Sequence, residues 1–159
     1  MLLLWPALGT PPYYFLREQY QRATTRMVDS IQPYVQGHYL YVYDGPAALY
    51  LLTGSQAPTR YIYPDHLNNP VEAKALGVDP AQEERKVLAA RPGAIVTASR
   101  PVVPFVSPAT QALVRDALAR DYVLVDRVPT IDRMYFIWAR RDLHPGPAPI
   151  TDHRAANPQ

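Results

Sequence analysis

The sequence predicts an α/β fold: a three-layer αβα Rossmann-like sandwich whose mostly parallel sheet of about five strands ends in an antiparallel hairpin. Three observations predict it. Short apolar runs, HYLYVYD, TRYIYP and AIVTA, alternate with helix-length segments, and such alternation builds a parallel sheet with helices on both faces. The first run is apolar or aromatic at successive positions, as in a strand covered on both sides. The last two runs are joined by Pro129-Thr130-Ile131-Asp132, a connector that only an antiparallel pair accommodates.

The elements follow in order. Pro11-Pro12 starts a helix that reaches Ile31, with Tyr13, Leu16, Tyr20, Met27 and Ile31 at helical spacing and a weak middle at Ala23-Thr24. Pro33 ends it. His38 to Tyr43 is strand one, with Tyr39, Tyr41 and Tyr43 on one face. Ala47 to Leu52 is a short helix closed by Gly54. Arg60 to Tyr63 is strand two, and Leu67 to Pro80 is a loop with a turn at Asn68-Asn69-Pro70. Asp79 caps a helix over 81–90, and Glu83 and Glu84 sit at its positive end. Ala94 to Ala98 is strand three. Pro101 to Phe105 is a proline-broken apolar loop. Ser107 caps a helix to Arg120, with Leu113, Ala117 and Leu118 as its core stripe. Tyr122 to Val128 and Met134 to Ala139 complete the sheet, and right-handed crossovers favour the strand order 2-1-3-4-5.

Length and composition bound the rest. A chain of 159 residues, 48% hydrophobic, supports one domain with a core. The division is an apolar stub over 1–11, a single α/β domain over 12–142 and a tail over 143–159 that reads as disordered; His144 and His153 lie in that tail as solvated side chains. Net charge is +2, from 16 basic and 14 acidic residues. The basic residues are scattered, so no nucleic-acid footprint is present. The doublet Arg140-Arg141 reads as a solvated strand end. There is no cysteine, which removes disulfides, thiolate catalysis and zinc–thiolate sites. The 18 prolines imply many rigid loops.

Candidate functional residues gather where the first two runs end, because open α/β sheets hold ligands beyond the carboxyl ends of their strands. Asp44 follows strand one; it is either a carboxylate for a sugar hydroxyl or cation, or a turn residue capping the amides of Ala47 and Ala48. Arg60, Tyr63, Asp65 and His66 form the densest polar cluster. Arginine grips phosphate or carboxylate at two points, and histidine can move a proton near neutral pH. The plainer alternative is that Asp65 caps a turn and His66 packs on the sheet edge. No second histidine lies near His66, so no metal site is expected. The sequence after Tyr43 is Asp-Gly-Pro-Ala-Ala rather than a glycine-rich phosphate loop. Ser99, Ser107 and Thr110 have no histidine and acid at readable spacing, so no serine triad and no catalytic residue is assigned. The strand tyrosines read as core, with a sugar-stacking platform as the alternative.

HYLYVYDGPAALYLLTG, APTRYIYPDHL, RPGAIVTAS and DYVLVDRVPTIDRMYFIWARR together carry a resemblance. From Tyr14 to Arg141 the chain is similar to the extracytoplasmic carboxyl-terminal domain of bacterial membrane glycosyltransferases. These are the polytopic enzymes akin to dolichyl-phosphate-mannose protein mannosyltransferases and aminoarabinose transferases. YDGPAALYLLTG and PTRYIYPDHL carry it most sharply. The resemblance implies transfer of a sugar from a polyprenyl-phosphate carrier, at the periplasmic side of the bacterial inner membrane. It implies a catalytic carboxylate between membrane helices that this chain does not hold. The expectation is therefore a non-catalytic accessory domain, without cofactor, whose partners are the membrane-embedded portion of the parent enzyme and a lipid-linked sugar or its acceptor. Asp44, Arg60, Tyr63 and His66 are then the acceptor- or carrier-facing positions. MLLLWPAL, which alone could be a packed arm, becomes the end of a membrane helix. A free-standing Rossmann-like module for a small ligand or a protein partner is the alternative, and a small soluble enzyme lacks a nucleophile or base constellation.

Overall fold

The computed structural model describes residues 12–102 and 105–144, with side chains from residue 17 onward. The expected stub at 1–11, the tail from 145 and part of the 101–105 loop lie outside the described residues. The elements are α1 (Pro12–Val35), β1 (Leu40–Val42), α2 (Ala48–Thr53), α3 (Asp65–Asn68), α4 (Pro70–Ala75), α5 (Pro80–Ala89), β2 (Ala94–Ala98), α6 (Pro108–Asp121), β3 (Tyr122–Pro129) and β4 (Met134–Arg140).

The protein is a mixed α/β structure with a four-stranded mixed sheet in the order β1-β2-β4-β3. β1 and β2 pair in parallel; β4 runs antiparallel to both β2 and β3, so β3 points the same way as β1 and β2. The last strand is antiparallel as the sequence predicts, but the expected five strands in the order 2-1-3-4-5 are corrected in two places.

Arg60 to Tyr63 is not a strand. The outer edge of β1 is already engaged, since the Leu40 amide donates to the Gln56 carbonyl at 3.1 Å. The Thr59 hydroxyl takes the Tyr61 amide at 3.2 Å, and Pro58 and Pro64 bracket the segment. A short apolar run without a free ladder to join remains an irregular segment.

The second correction is β4, not β3, beside β2, with Ile95 opposite Trp138 and Val96 opposite Ile137. Burial explains the exchange. β4 carries Tyr135, Ile137 and Ala139, all buried, whereas β3 carries Asp126, Arg127 and Pro129 and an irregularity in register between Leu124 and Asp126. Charge, proline and a bulge suit an edge strand.

Each face of the sheet has its own core. On one, Leu40, Val42, Ala94, Val96 and Ile137 pack against Ala23, Met27, Ile31 and Val35 of α1 and Leu49 and Tyr50 of α2. On the other, Tyr41, Tyr43, Ile95 and Tyr122 pack against Leu67 of α3, Val87 of α5 and Val114 and Leu118 of α6. Helices therefore cover both faces. The stripe of α1 is the i, i+4 series from Ala23 to Val35, so the weak middle of the sequence pattern is where the core begins. The helix passes through Pro33, because Val35 drops into the same core one turn after Ile31. The stretch expected as a loop from Leu67 to Pro80 instead holds α4 and the end of α3, with Asn69 capping α4 through the Val71 amide at 3.0 Å. The caps Asp79 and Ser107 stand where the sequence places them.

Candidate functional site

Where β1 ends, the amides of Tyr43 and Asp44 both donate to the Val96 carbonyl, at 3.0 and 3.2 Å. This shared acceptor turns the chain sharply and draws the Asp44 carboxyl inward, leaving it 5% exposed. Its Oδ1 accepts from the Val102 amide at 3.4 Å. Helix α2 has no side-chain cap, so Asp44 bonds the 99–102 loop and not the amides that follow it. Burial pushes its pKa up to about 6; the Val102 amide and the Arg133 charge oppose the rise, and Asp65 adds to it. Arg133 is held in place by Asp132, through Nε at 2.9 Å and Nη2 at 2.7 Å.

The other candidates lie on the irregular segment and on α3. The Arg60 guanidinium stands over the Tyr61 ring, 5.0 Å from its centroid, and donates through Nη2 to the Tyr61 hydroxyl at 2.9 Å. The edge of His66 meets the Tyr61 ring at 6.1 Å and the Tyr63 ring at 5.3 Å. Tyr63 is 56% exposed. Arg60, Tyr61, His66 and Tyr63 thus form one cationic and aromatic ledge, and the His66 Nδ1 atom is enclosed without a hydrogen-bond partner among the described residues. Asp65 opens α3 and acts on Asp44 through its charge. Arg60, Tyr63 and His66 are brought together; Asp44 is enclosed beneath the 99–102 loop instead of sharing the open ledge.

Beneath the ledge runs a buried polar layer. The Tyr41 hydroxyl donates to Glu84 Oε2 at 2.7 Å, and the hydroxyls of Tyr43 and Thr110 are 3.3 Å apart. The Asn68 side chain donates to the Tyr43 carbonyl, and the Asn68 carbonyl accepts from the Ser107 amide at 2.7 Å. Among the described residues Glu84 Oε1 and Asn68 Oδ1, like His66 Nδ1, have no partner. Burial pushes the Glu84 pKa up to about 8 and raises that of Tyr41 well above its ordinary value.

Set beside protein-family models, curated proteins and solved structures, the chain matches none.

The arrangement is suited to recognition. An exposed guanidinium offers two-point contact to an anion, and exposed aromatic rings offer faces to C–H surfaces. Among the described residues no group of three or more His, Asp or Glu gathers as a metal site. No described helix is long and apolar enough to cross a membrane. Sequence reasoning missed Glu84, Asn68 and Arg133. Glu84 was read as a helix-dipole charge, yet it stands three and four residues before Val87 and Leu88, the inward stripe of α5. Asn68 was read only as part of a turn, and Arg133 carried no signal in the sequence.

Proposed function

We propose that this chain is a non-catalytic extracytoplasmic domain of a bacterial membrane glycosyltransferase that draws its sugar from a polyprenyl-phosphate carrier. On this reading the ledge of Arg60, Tyr63 and His66 faces the carrier or the acceptor. The observation that carries it is the state of Arg60. Among the described residues its guanidinium is engaged by a ring and a phenol, both of Tyr61, and not by a carboxylate. An arginine oriented by aromatic contact while keeping its outward donors is prepared for a phosphate. Tyr63 and His66 beside it supply surfaces for a sugar ring. Helices on both sheet faces and the parallel β1–β2 pair support placing the domain as a shortened relative of the αβα Rossmann-like architecture.

The test is Arg60→Ala in the enzyme that includes its membrane-embedded portion, assayed for sugar transfer. A fall of tenfold or more with an unchanged melting temperature of the domain is expected. Transfer at the unaltered rate removes Arg60 from the site.

A free-standing small-ligand module is the second reading, favoured by a groove of ≈ 330 Å³ between α6 and the sheet, floored by Tyr43, Thr97 and Trp138. A ligand held there stabilises the fold and raises its thermal midpoint; a screen of nucleotides, sugars and amphiphiles that moves nothing dismisses it.

A further inference from the structure

We infer that the exposed stretch of α1 from Arg17 to Arg22, the end of α2 and the β3–β4 turn form one face that rests on an anionic lipid bilayer. The inference rests on the membrane placement proposed above and adds which way the domain lies. It begins with α1. Its core contacts start at Ala23, and every residue from Arg17 to Arg22 is exposed. From Arg17 to Arg22 the helix therefore runs on beyond the core, at about 1.5 Å per residue, and the Tyr20 hydroxyl donates to Asp132 Oδ1 at 3.5 Å.

What flanks this projecting helix is apolar and open. On one side a broad groove of ≈ 840 Å³ sets Tyr20, Val28 and Leu52 among the polar Arg17, Gln21, Thr24 and Thr25. On the other a groove of ≈ 360 Å³ is lined by Tyr20, Val128, Pro129 and Ile131. Tyr20 borders both, so the two are one surface divided by the helix. Its outlying residues are aliphatic: Leu51 is 84% exposed, Leu52 51% and Ile131 51%. Aliphatic side chains at such exposure, on two separate elements around one helix, mark a contact surface.

The occupant is argued from the sequence on that helix. The segment MLLLWPALGTP joins α1 at Pro12, and within twenty residues come Trp5, Tyr13, Tyr14, Phe15, Arg17 and Tyr20. Tryptophan and tyrosine beside an apolar segment, followed by arginine, is the composition that settles at the boundary between hydrocarbon and headgroups. The charges agree. Arg26 is bound to Asp126 and Arg22 lies near Glu18, but Arg17 makes no ion pair among the described residues and is the cation that an anionic headgroup would meet. The grooves are shallow and spread along the helix, which suits a fluid surface better than one folded ligand.

The chain contains no cysteine, so single-cysteine variants report their own positions. The 159-residue chain carrying Leu52→Cys, Ile131→Cys or Arg85→Cys, the last exposed on α5 over the opposite sheet face, is labelled with an environment-sensitive fluorophore. Each is mixed with phosphatidylglycerol–phosphatidylethanolamine vesicles with and without a spin-labelled quencher lipid. Labels at 52 and 131 are expected to brighten and to be quenched at least twice as strongly as the label at 85. Arg17→Ala is expected to weaken vesicle binding roughly fivefold at low salt. Quenching at 85 equal to or above that at 52 and 131 overturns the orientation. Labels at 52 and 131 that stay in water overturn lipid as the occupant and leave a protein surface to fill it. The transfer assay on Arg60→Ala is independent: loss of transfer with no label inserted refutes this face alone, and inserted labels with normal transfer refute the ledge alone.

Discussion

Tyr41 and Glu84 meet across the core, the phenol donating to Oε2 at 2.7 Å with Glu84 wholly enclosed. A carboxylate deprived of water is costly to ionise, and the one hydrogen bond from Tyr41 offsets only part of that cost. Glu84 is therefore a neutral acid in the folded protein at pH 7, bridging α5 to β1 under the ledge that carries Arg60 and His66.

The first prediction is a pH dependence with a defined sign. Burial lifts the Glu84 pKa from 4.5 to about 8, so the folded chain keeps a proton that the unfolded chain releases. Its contribution to stability is complete below pH 4.5 and is lost as pH rises through about 8. Glu84→Gln keeps the shape and never ionises. Its unfolding free energy is expected to match that of the parent near pH 4.5 and to exceed it at pH 8.5, by on the order of a few kcal/mol, read as a higher thermal midpoint. Parallel curves from pH 4.5 to 8.5 would show that Glu84 does not set this slope.

Removing the other partner acts differently. Tyr41→Phe strips Glu84 of the one hydrogen bond it has among the described residues and leaves both carboxyl oxygens buried without a described partner, at a cost of roughly 1–3 kcal/mol. Adding Glu84→Leu replaces the orphaned acid with an apolar group. The double variant should then be more stable than the sum of the two single losses. Urea unfolding of the four proteins at pH 6 gives the coupling directly, and strict additivity would mean that the two groups do not depend on one another.

Much of this architecture was legible in the sequence, and the failures have physical causes. Asp79 and Ser107 cap their helices through local bonds, and the hairpin follows from a short connector; such features need only neighbouring residues. The neighbour of β2 does not. Choosing β4 over β3 depends on which strand tolerates burial on both sides, and the charges of Asp126 and Arg127 against the apolar run at Tyr135–Ala139 held that answer. Arg60 to Tyr63 looked like a strand because TRYIYP is a short apolar run, but the edge it needed is engaged by Gln56. At the candidate site the segment bearing Arg60, Tyr63 and His66 was readable as a polar cluster. The seclusion of Asp44 was not, because it comes from a loop 58 residues further along the chain.

Gly93 gives a third prediction, on packing. A Cβ there would lie 1.9 Å from the Tyr34 carbonyl oxygen and 2.8 Å from His38 Cβ. The position cannot shift, since its amide donates to the Tyr39 carbonyl at 2.8 Å and its carbonyl accepts from the Arg140 amide at 3.0 Å. Gly93→Ala is expected to lose about 3 kcal/mol or more, the upper end for overpacking. Gly37, at φ 74 with open space around it, isolates the backbone term, and Gly37→Ala should lose only about 1–2 kcal/mol. Equal losses in chemical denaturation would mean that the space at Gly93 is not limiting.

The last prediction separates Asp44 from Glu84 by pH window. Burial raises the Asp44 pKa from 3.8 to about 6, so its contribution is complete below pH 3.8 and is lost as pH rises through 6, two units before that of Glu84. Asp44→Asn keeps an oxygen for the Val102 amide and removes the titration. Its thermal midpoint should gain on that of the parent between pH 4 and 6.5 and run parallel above. Arg133 supplies the opposing charge, so Arg133→Gln should drive the Asp44 pKa higher still and extend the decline toward neutral pH. Carboxyl carbon shifts of Asp44, followed by NMR from pH 3 to 8 in the parent and in Arg133→Gln, measure both effects at the atom concerned. A midpoint near 4 in the parent would show that the carboxyl is hydrated and that the 99–102 loop does not enclose it in solution.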